Sequence, residues 1–244
     1  MLFDSTNPAA WDIAGHERHA AAGVLLTSCA YCVRTSAVVS APSADLLEVA
    51  ARAFTAARAV DLGWLEERCS TEEERQWVRQ WPGEHYRLLS AFARTTKPSL
   101  IVEVGTYTGM GTLALADGAG AAPVITYDVV AWDGFPNTLL RAEDFDGSRI
   151  EQRLGDLSDD DYFAQQRETL LAADLVFVDG PKDGRFESIF YPHLLALLDG
   201  HRHVVLADDI HFLNMIQLWM ELPVEKLDIS SFGHWSGTGL MRTS

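Results

Sequence analysis

From Ser99 onward, short apolar and β-branched runs alternate with longer stretches whose apolar residues recur at helical spacing. The runs predict strands at 100–105, 123–128, 150–154, 174–179 and 203–208. The periodic stretches predict helices near 109–117, 135–144, 159–172, 187–199 and 211–220. Such alternation implies parallel strands joined by crossover helices. Two late segments, 223–229 and 237–242, follow with no clear helix between them, and Gly233, Gly237 and Gly239 lie in or beside the connection. That pattern predicts an antiparallel hairpin at the sheet edge.

The front of the chain reads differently. Residues 11–26 have the pattern of a short helix, and 25–39 are apolar and β-branched. Pro42-Ser43 is a start signal for an amphipathic helix over 44–68, and Glu72-Glu-Glu74 after Ser70-Thr71 reads as the acidic first turn of another. Pro82-Gly83 breaks the chain, 84–95 returns to helical periodicity, and Lys97-Pro98 closes the front. Residues 1–98 are thus expected to form a helical extension packed on the same domain as 99–244, the α/β part. The extension supplies a lid or a homodimer contact, and the sequence leaves both open.

At 244 residues, 48% of them hydrophobic, the chain can bury one large α/β core. Nineteen Lys and Arg face 35 Asp and Glu, a net charge of −16. A surface so acidic repels nucleic-acid phosphates and anionic lipid, which favours a small-molecule partner over nucleic acid or membrane. Cys29, Cys32 and Cys69 form no disulfide framework, and Cys29-Ala-Tyr-Cys32 lacks a second pair to complete a zinc site. The first residues lack a basic start followed by an apolar core, and no run approaches a membrane span, so a cytoplasmic protein is expected.

Candidate chemistry sits at the strand ends, where open α/β sheets bind ligands. Ile101-Val-Glu-Val-Gly-Thr-Tyr-Thr-Gly109 is an apolar strand ending in an acid and a glycine-rich turn. Gly105 and Gly109 leave room for a ligand beside backbone N–H groups, while Glu103 puts a carboxylate where a phosphate would otherwise sit. The spacing is E-x-G-x-x-x-G, not the G-x-G-x-x-G of dinucleotide sites, and it points to a cationic or neutral nucleoside. Asp128 closes the next strand, where a carboxylate can accept hydrogen bonds from both ribose hydroxyls. Asp156 follows the third strand, and an N-cap role for it competes with Ser158. Asp179 and the pair Asp208-Asp209 end the fourth and fifth strands. Adjacent strand ends lie about 5 Å apart, so these three carboxylates can converge, and they would repel one another unless a cation neutralised them. Oxygen-only ligands suit Mg²⁺ or a similar hard divalent ion.

The glycine turn resembles motif I of the class I S-adenosylmethionine (SAM) methyltransferases. Asp179-x-x-Lys182 followed by Asp208-Asp209 resembles the pattern of metal-dependent O-methyltransferases, of the catechol and caffeoyl-CoA type and the macrocin sugar type. The resemblance covers 84–211. It implies a Rossmann-like seven-stranded methyltransferase sheet, mostly parallel with an antiparallel C-terminal hairpin. It also implies that Glu103, Gly105, Thr106, Tyr107, Gly109, Asp128, Asp156 and Asp179 surround SAM. Asp128 would hold the ribose and Asp156 the adenine amino group. Asp179, Asp208 and Asp209 would hold Mg²⁺ chelated by two substrate hydroxyls. The chain departs from the plant and animal enzymes at Asp209, commonly Asn there, and after Asp183. Those departures favour a sugar, glycoside or other vicinal diol over a catechol.

An alcohol is a poor nucleophile at neutral pH, so a base is needed. Lys182 is the first candidate, pushed toward its neutral form if a divalent ion sits beside it. His211 competes. An exposed Lys182 paired with Asp183 or Glu187 is the bland alternative. His85 and Tyr86 are candidates for lining the cofactor or acceptor pocket, and Trp132, Asp133, Phe135, Trp219 and Trp235 for lining the acceptor pocket. The rival functions are a metal-independent SAM-dependent O- or N-methyltransferase, a nicotinamide-dependent oxidoreductase, and a SAM-fold binding module without turnover.

Overall fold

The computed structural model of the protein describes residues 42–244. The expected segments 11–26 and 25–39, with Cys29 and Cys32, lie outside the described residues.

Seven strands form one sheet: β1 (Ile101–Val104), β2 (Val124–Asp128), β3 (Ile150–Leu154), β4 (Leu175–Val178), β5 (Val204–Asp208), β6 (Glu225–Asp228) and β7 (Thr238–Arg242), in the order β3-β2-β1-β4-β5-β7-β6. The first five are parallel, and β7 runs antiparallel to both β5 and β6. β1 and β4 are fully buried, as near-continuous apolar strands covered on both faces should be. The hairpin expectation holds, and its strand order adds a consequence: β7 inserts beside β5, so Thr238 pairs with Asp208.

The helices are α1 (Ala44–Ala57), α2 (Gly63–Glu66), α3 (Glu72–Arg79), α4 (Tyr86–Thr96), α5 (Met110–Gly118), α6 (Asp160–Ala172), α7 (Phe186–Leu198) and α8 (Met215–Glu221). One apolar cluster joins Leu46, Leu62, Leu88 and Phe92 of the front helices to Ile101, Val124, Leu175 and Leu206 of the sheet. The other sheet face packs against Phe163, Leu170, Phe190 and Leu194 of α6 and α7. Ser43 caps α1 through Leu46 N, and Thr71 with Glu74 forms a reciprocal capping box on α3.

Three helical expectations shift. The helix over 44–68 stops at Ala57, because the chain turns to bury Val60 and Leu62 together, and the Asp61 carboxylate accepts the Gly63 N–H where α2 begins. No α-helix forms over 135–144. Pro136 lacks a donor, Leu139 N donates to Thr108 O at 2.8 Å, and the segment folds back over the glycine turn with 3₁₀ turns at Trp132–Gly134 and Ala142–Ser148. The helix expected from 211 starts at Met215, since Ile210 N and His211 N donate first to Gly237 O and Ser236 O beside β7.

Candidate active site

The carboxyl ends of β1, β2, β3, β4 and β5 open on a cleft of about 680 Å³, within the 300–1,000 Å³ range of small-molecule sites. Gly105, Tyr107, Asp128, Phe135, Asp156, Asp179, Lys182 and Asp209 all line it. Gly105 has φ +102°, and a Cβ there would lie 2.0 Å from the Asp179 carbonyl oxygen. Only glycine lets the β1 and β4 ends approach so closely.

Asp128 accepts the backbone N–H groups of Tyr107 at 2.9 Å and Val130 at 3.0 Å, which fixes the wall of the cleft. Asp156 accepts from Ser158 N and Oγ, while Asp159 caps α6 through Tyr162 N. The N-cap alternative for Asp156 and Ser158 is therefore replaced by Asp159, and Asp156 remains on the cleft wall. Gly109 (φ +82°) starts α5 under Leu140. Thr106 points inward, 2.7 Å from Thr126 Oγ1 and 3.1 Å from Gln152 Nε2.

Glu103 also lies beneath the turn. Its carboxylate is buried, accepts the Thr112 hydroxyl, and leaves no space for a Cβ at Gly111. Burial pushes its pKa up to about 8, against the opposing hydrogen bonds from Thr112 and Thr126. The sequence reading of a carboxylate facing the ligand thus meets a different geometry, in which Glu103 braces α5 against β1.

Asp179, Asp208 and Asp209 converge, each with a carboxylate oxygen within 4.8 Å of the others. The Lys182 ammonium sits among them, touching Asp179 Oδ1, 3.0 Å from Asp209 Oδ2 and 3.8 Å from Asp208 Oδ2. Lys182 and Asp209 both hold left-handed backbone (φ +53° and +57°), a strain that aims them at this point. Burial works against the Lys182 charge, yet the three carboxylates outweigh it and hold the ammonium well above its usual range. Burial likewise opposes the charge on Asp209, but His234 and Lys182 keep its carboxyl well below the usual carboxylate range. For Asp179 burial wins and its carboxyl is raised. The donor set is oxygen-only and opens to the cleft, so it fits a hard divalent cation once Lys182 swings aside.

His211 stands elsewhere, its Nε2 2.7 Å from Asp228 Oδ2. The imidazoles beside the acidic pair are His234 and His85. His234 Nδ1 lies 3.3 Å from Asp209 Oδ1 and 3.8 Å from Asp208 Oδ1, and His85 Nδ1 lies 3.2 Å from Asp208 Oδ1. His234 escapes a sequence reading because its proximity depends on β7 inserting beside β5. Its signal is the Gly-flanked stretch Gly233 to Gly239 that leads into that strand. Of the aromatic candidates, Phe135 lines the cleft and stacks edge-on against Tyr107, Trp132 packs on Phe145, Trp219 is core, and Trp235 is exposed beside His234.

No family model matches the chain. No curated protein matches it. Among solved structures it is similar to a Podospora anserina methyltransferase bound to SAH, at 18% identity over 99% of this chain and 100% of that one, with a TM-score of 0.49. It is also similar to a Bacillus cereus O-methyltransferase in complex with SAH (18% identity, 88% and 97% coverage, TM-score 0.46). A Geobacter sulfurreducens methyltransferase gives 18% identity, 84% and 93% coverage and a TM-score of 0.46. The dinucleotide-binding sheet has the order 3-2-1-4-5-6. Here an antiparallel β7 stands between β5 and β6, so the chain carries the Rossmann-like seven-stranded sheet of the class I methyltransferases, with a carboxylate triad at the carboxyl ends of β4 and β5.

Proposed function

We propose that the protein is a SAM-dependent O-methyltransferase acting on a hydroxyl of a small metabolite, with a divalent cation such as Mg²⁺ assisting. The observation that carries this reading is the convergence of Asp179, Asp208 and Asp209 beside the cleft that Gly105, Asp128 and Asp156 also line. That juxtaposition sets a nucleoside site against a cation site, as transfer from a sulfonium to a chelated hydroxyl requires. A sugar, glycoside or other vicinal diol would suit an ion held by only three protein carboxylates, since it could offer two further oxygens.

In this reading Asp128 takes the ribose hydroxyls, Asp156 the adenine amino group, and Gly105 admits the methionine end. Bound at the triad, Mg²⁺ would lower the hydroxyl pKa and fix its direction. Asp179, Asp208 and Asp209 would hold the ion beside the cofactor cleft, and orientation of the reacting hydroxyl can supply much of the rate. With a divalent ion in the triad, Lys182 would be displaced and pushed to release its own proton, and the neutral Nζ could then accept the hydroxyl proton.

A second reading has its own observation. Lys182 already forms ion pairs with all three carboxylates, so a metal-independent transfer, with Lys182 as a permanent counter-ion, uses the same cleft. Chelation separates the two. The first reading expects turnover of a diol acceptor to vanish with EDTA and return with Mg²⁺, and turnover unchanged by exhaustive chelation would overturn it.

A further inference from the structure

Behind the triad lies a second cluster that this reading does not use. His85 is 3% exposed, and neither ring nitrogen has a hydrogen-bond partner. Asp208 turns one oxygen toward Lys182 and the other, Oδ1, toward His85, and that inner oxygen is also buried without a hydrogen bond. His85 Nδ1 and Asp208 Oδ1 face each other at 3.2 Å without a well-formed hydrogen bond, and buried polar atoms are nearly always satisfied, so the pair calls for a further partner.

His234 completes the point. Its Nε2 lies 2.9 Å from Glu84 Oε1, and its Nδ1 faces Asp208. An imidazole whose far nitrogen is held by a carboxylate keeps its near nitrogen aimed at the site, the arrangement that orients metal-bound histidines. The Ser236 hydroxyl now bridges that nitrogen and Asp209, and it can rotate to Asp209 alone. The approach to the cluster is built with strain: Gly83, Glu84 and His85 are three successive residues in left-handed backbone, at φ +101°, +43° and +71°. For the two non-glycine residues that geometry is unfavourable, and it brings Glu84 and His85 to His234 and Asp208.

We propose that His85, Asp208 and His234 form a second metal site, for a borderline divalent cation such as Zn²⁺ or Co²⁺, sharing Asp208 with the carboxylate triad. The three ligand atoms lie within 4.8 Å of one another, with His85 Nδ1 and His234 Nδ1 at 3.2 and 3.8 Å from Asp208 Oδ1. Ligand atoms around a tetrahedral zinc stand about 3.3 Å apart, so both imidazoles already sit near ligand spacing from Asp208 Oδ1. Two imidazoles and one carboxylate select a softer ion than the oxygen-only triad does. Asp208 then serves as a bridge, and Glu84 orients His234 without touching the ion.

The test is X-ray absorption at the zinc edge on the tag-free full chain loaded with one equivalent of Zn²⁺, where imidazole scattering counts histidine ligands. Two imidazoles are expected in the wild type, and one each in His85→Gln and His234→Gln. Glu84→Gln is expected to weaken Zn²⁺ about 10–100-fold in calorimetry while keeping both imidazoles. The proposal is overturned by oxygen-only coordination in the wild type, by no Zn²⁺ binding, or by a two-imidazole spectrum surviving in the double variant. The wild-type spectrum needs no substitution, so a variant that fails to fold leaves the test intact. Calorimetry of SAH on the same preparation reports the cofactor reading separately, and either can fail alone.

Discussion

The Lys182 ammonium lies 3.0 Å from Asp209 Oδ2, inside the space a divalent ion bound by Asp179, Asp208 and Asp209 would take. Lysine and metal therefore compete for one set of oxygens. Lys182→Met should bind Mg²⁺ about tenfold more tightly, equivalent to about 1.4 kcal/mol, because a like charge leaves the site. Its methyl-transfer rate should nonetheless fall, since the proton acceptor is lost. Isothermal titration with Mg²⁺ alongside a turnover assay reads both, and unchanged affinity would remove the competition.

Glu103 predicts a pH effect on stability. Its carboxyl is raised by burial from 4.5 to about 8, so between those values the folded state binds more protons than the unfolded one. Stability contributed by the neutral form is then full below about pH 4.5 and declines as pH rises toward 8, at up to about 1.4 kcal/mol per pH unit. Glu103→Gln should flatten that decline, keeping a hydrogen bond to Thr112. Urea unfolding at several pH values between 5 and 8 compares the two proteins. Parallel slopes would mean Glu103 is ionised in the folded state.

Gly105→Ala should cost about 2–4 kcal/mol in chemical denaturation, because its Cβ meets the Asp179 carbonyl oxygen at 2.0 Å and its φ is +102°. Separation of the β1 and β4 ends should abolish cofactor binding as well. A variant as stable as the wild type would mean the two strand ends are not held so close.

Asp128→Ala should weaken SAH about 10–100-fold in calorimetry, the loss of one or two charge-assisted hydrogen bonds. It also frees the Tyr107 and Val130 N–H groups that Asp128 now accepts. Undiminished affinity would take the ribose away from this carboxylate.

The sheet was legible because its signals are local. Apolar runs such as Leu175–Val178 and periodic stretches such as Asp160–Ala172 carry their own pattern. The meeting of Asp179 with Asp208 and Asp209 was legible too, since parallel neighbours must bring their carboxyl ends together. Long-range pairing hid the rest. The glycines around His234 announce a connection but not that β7 lies beside β5, and the cluster with His85 follows from that register. The direction of Glu103 was equally hidden, because strand alternation puts it on one face without saying whether Thr112 or a ligand waits there. At 58–62 burial of Val60 and Leu62 overrode a helical pattern that the sequence continues.

The central claim is that the cleft at Gly105, Asp128 and Asp156 holds SAM. Thermal unfolding of the wild-type chain with SAM, SAH or NADH, each at equal concentration, tests it most directly. A ligand at 100 times its Kd stabilises by about 2.7 kcal/mol. The account predicts a raised Tm with SAM and with SAH, and none with NADH. A rise with NADH and none with SAM or SAH would contradict it.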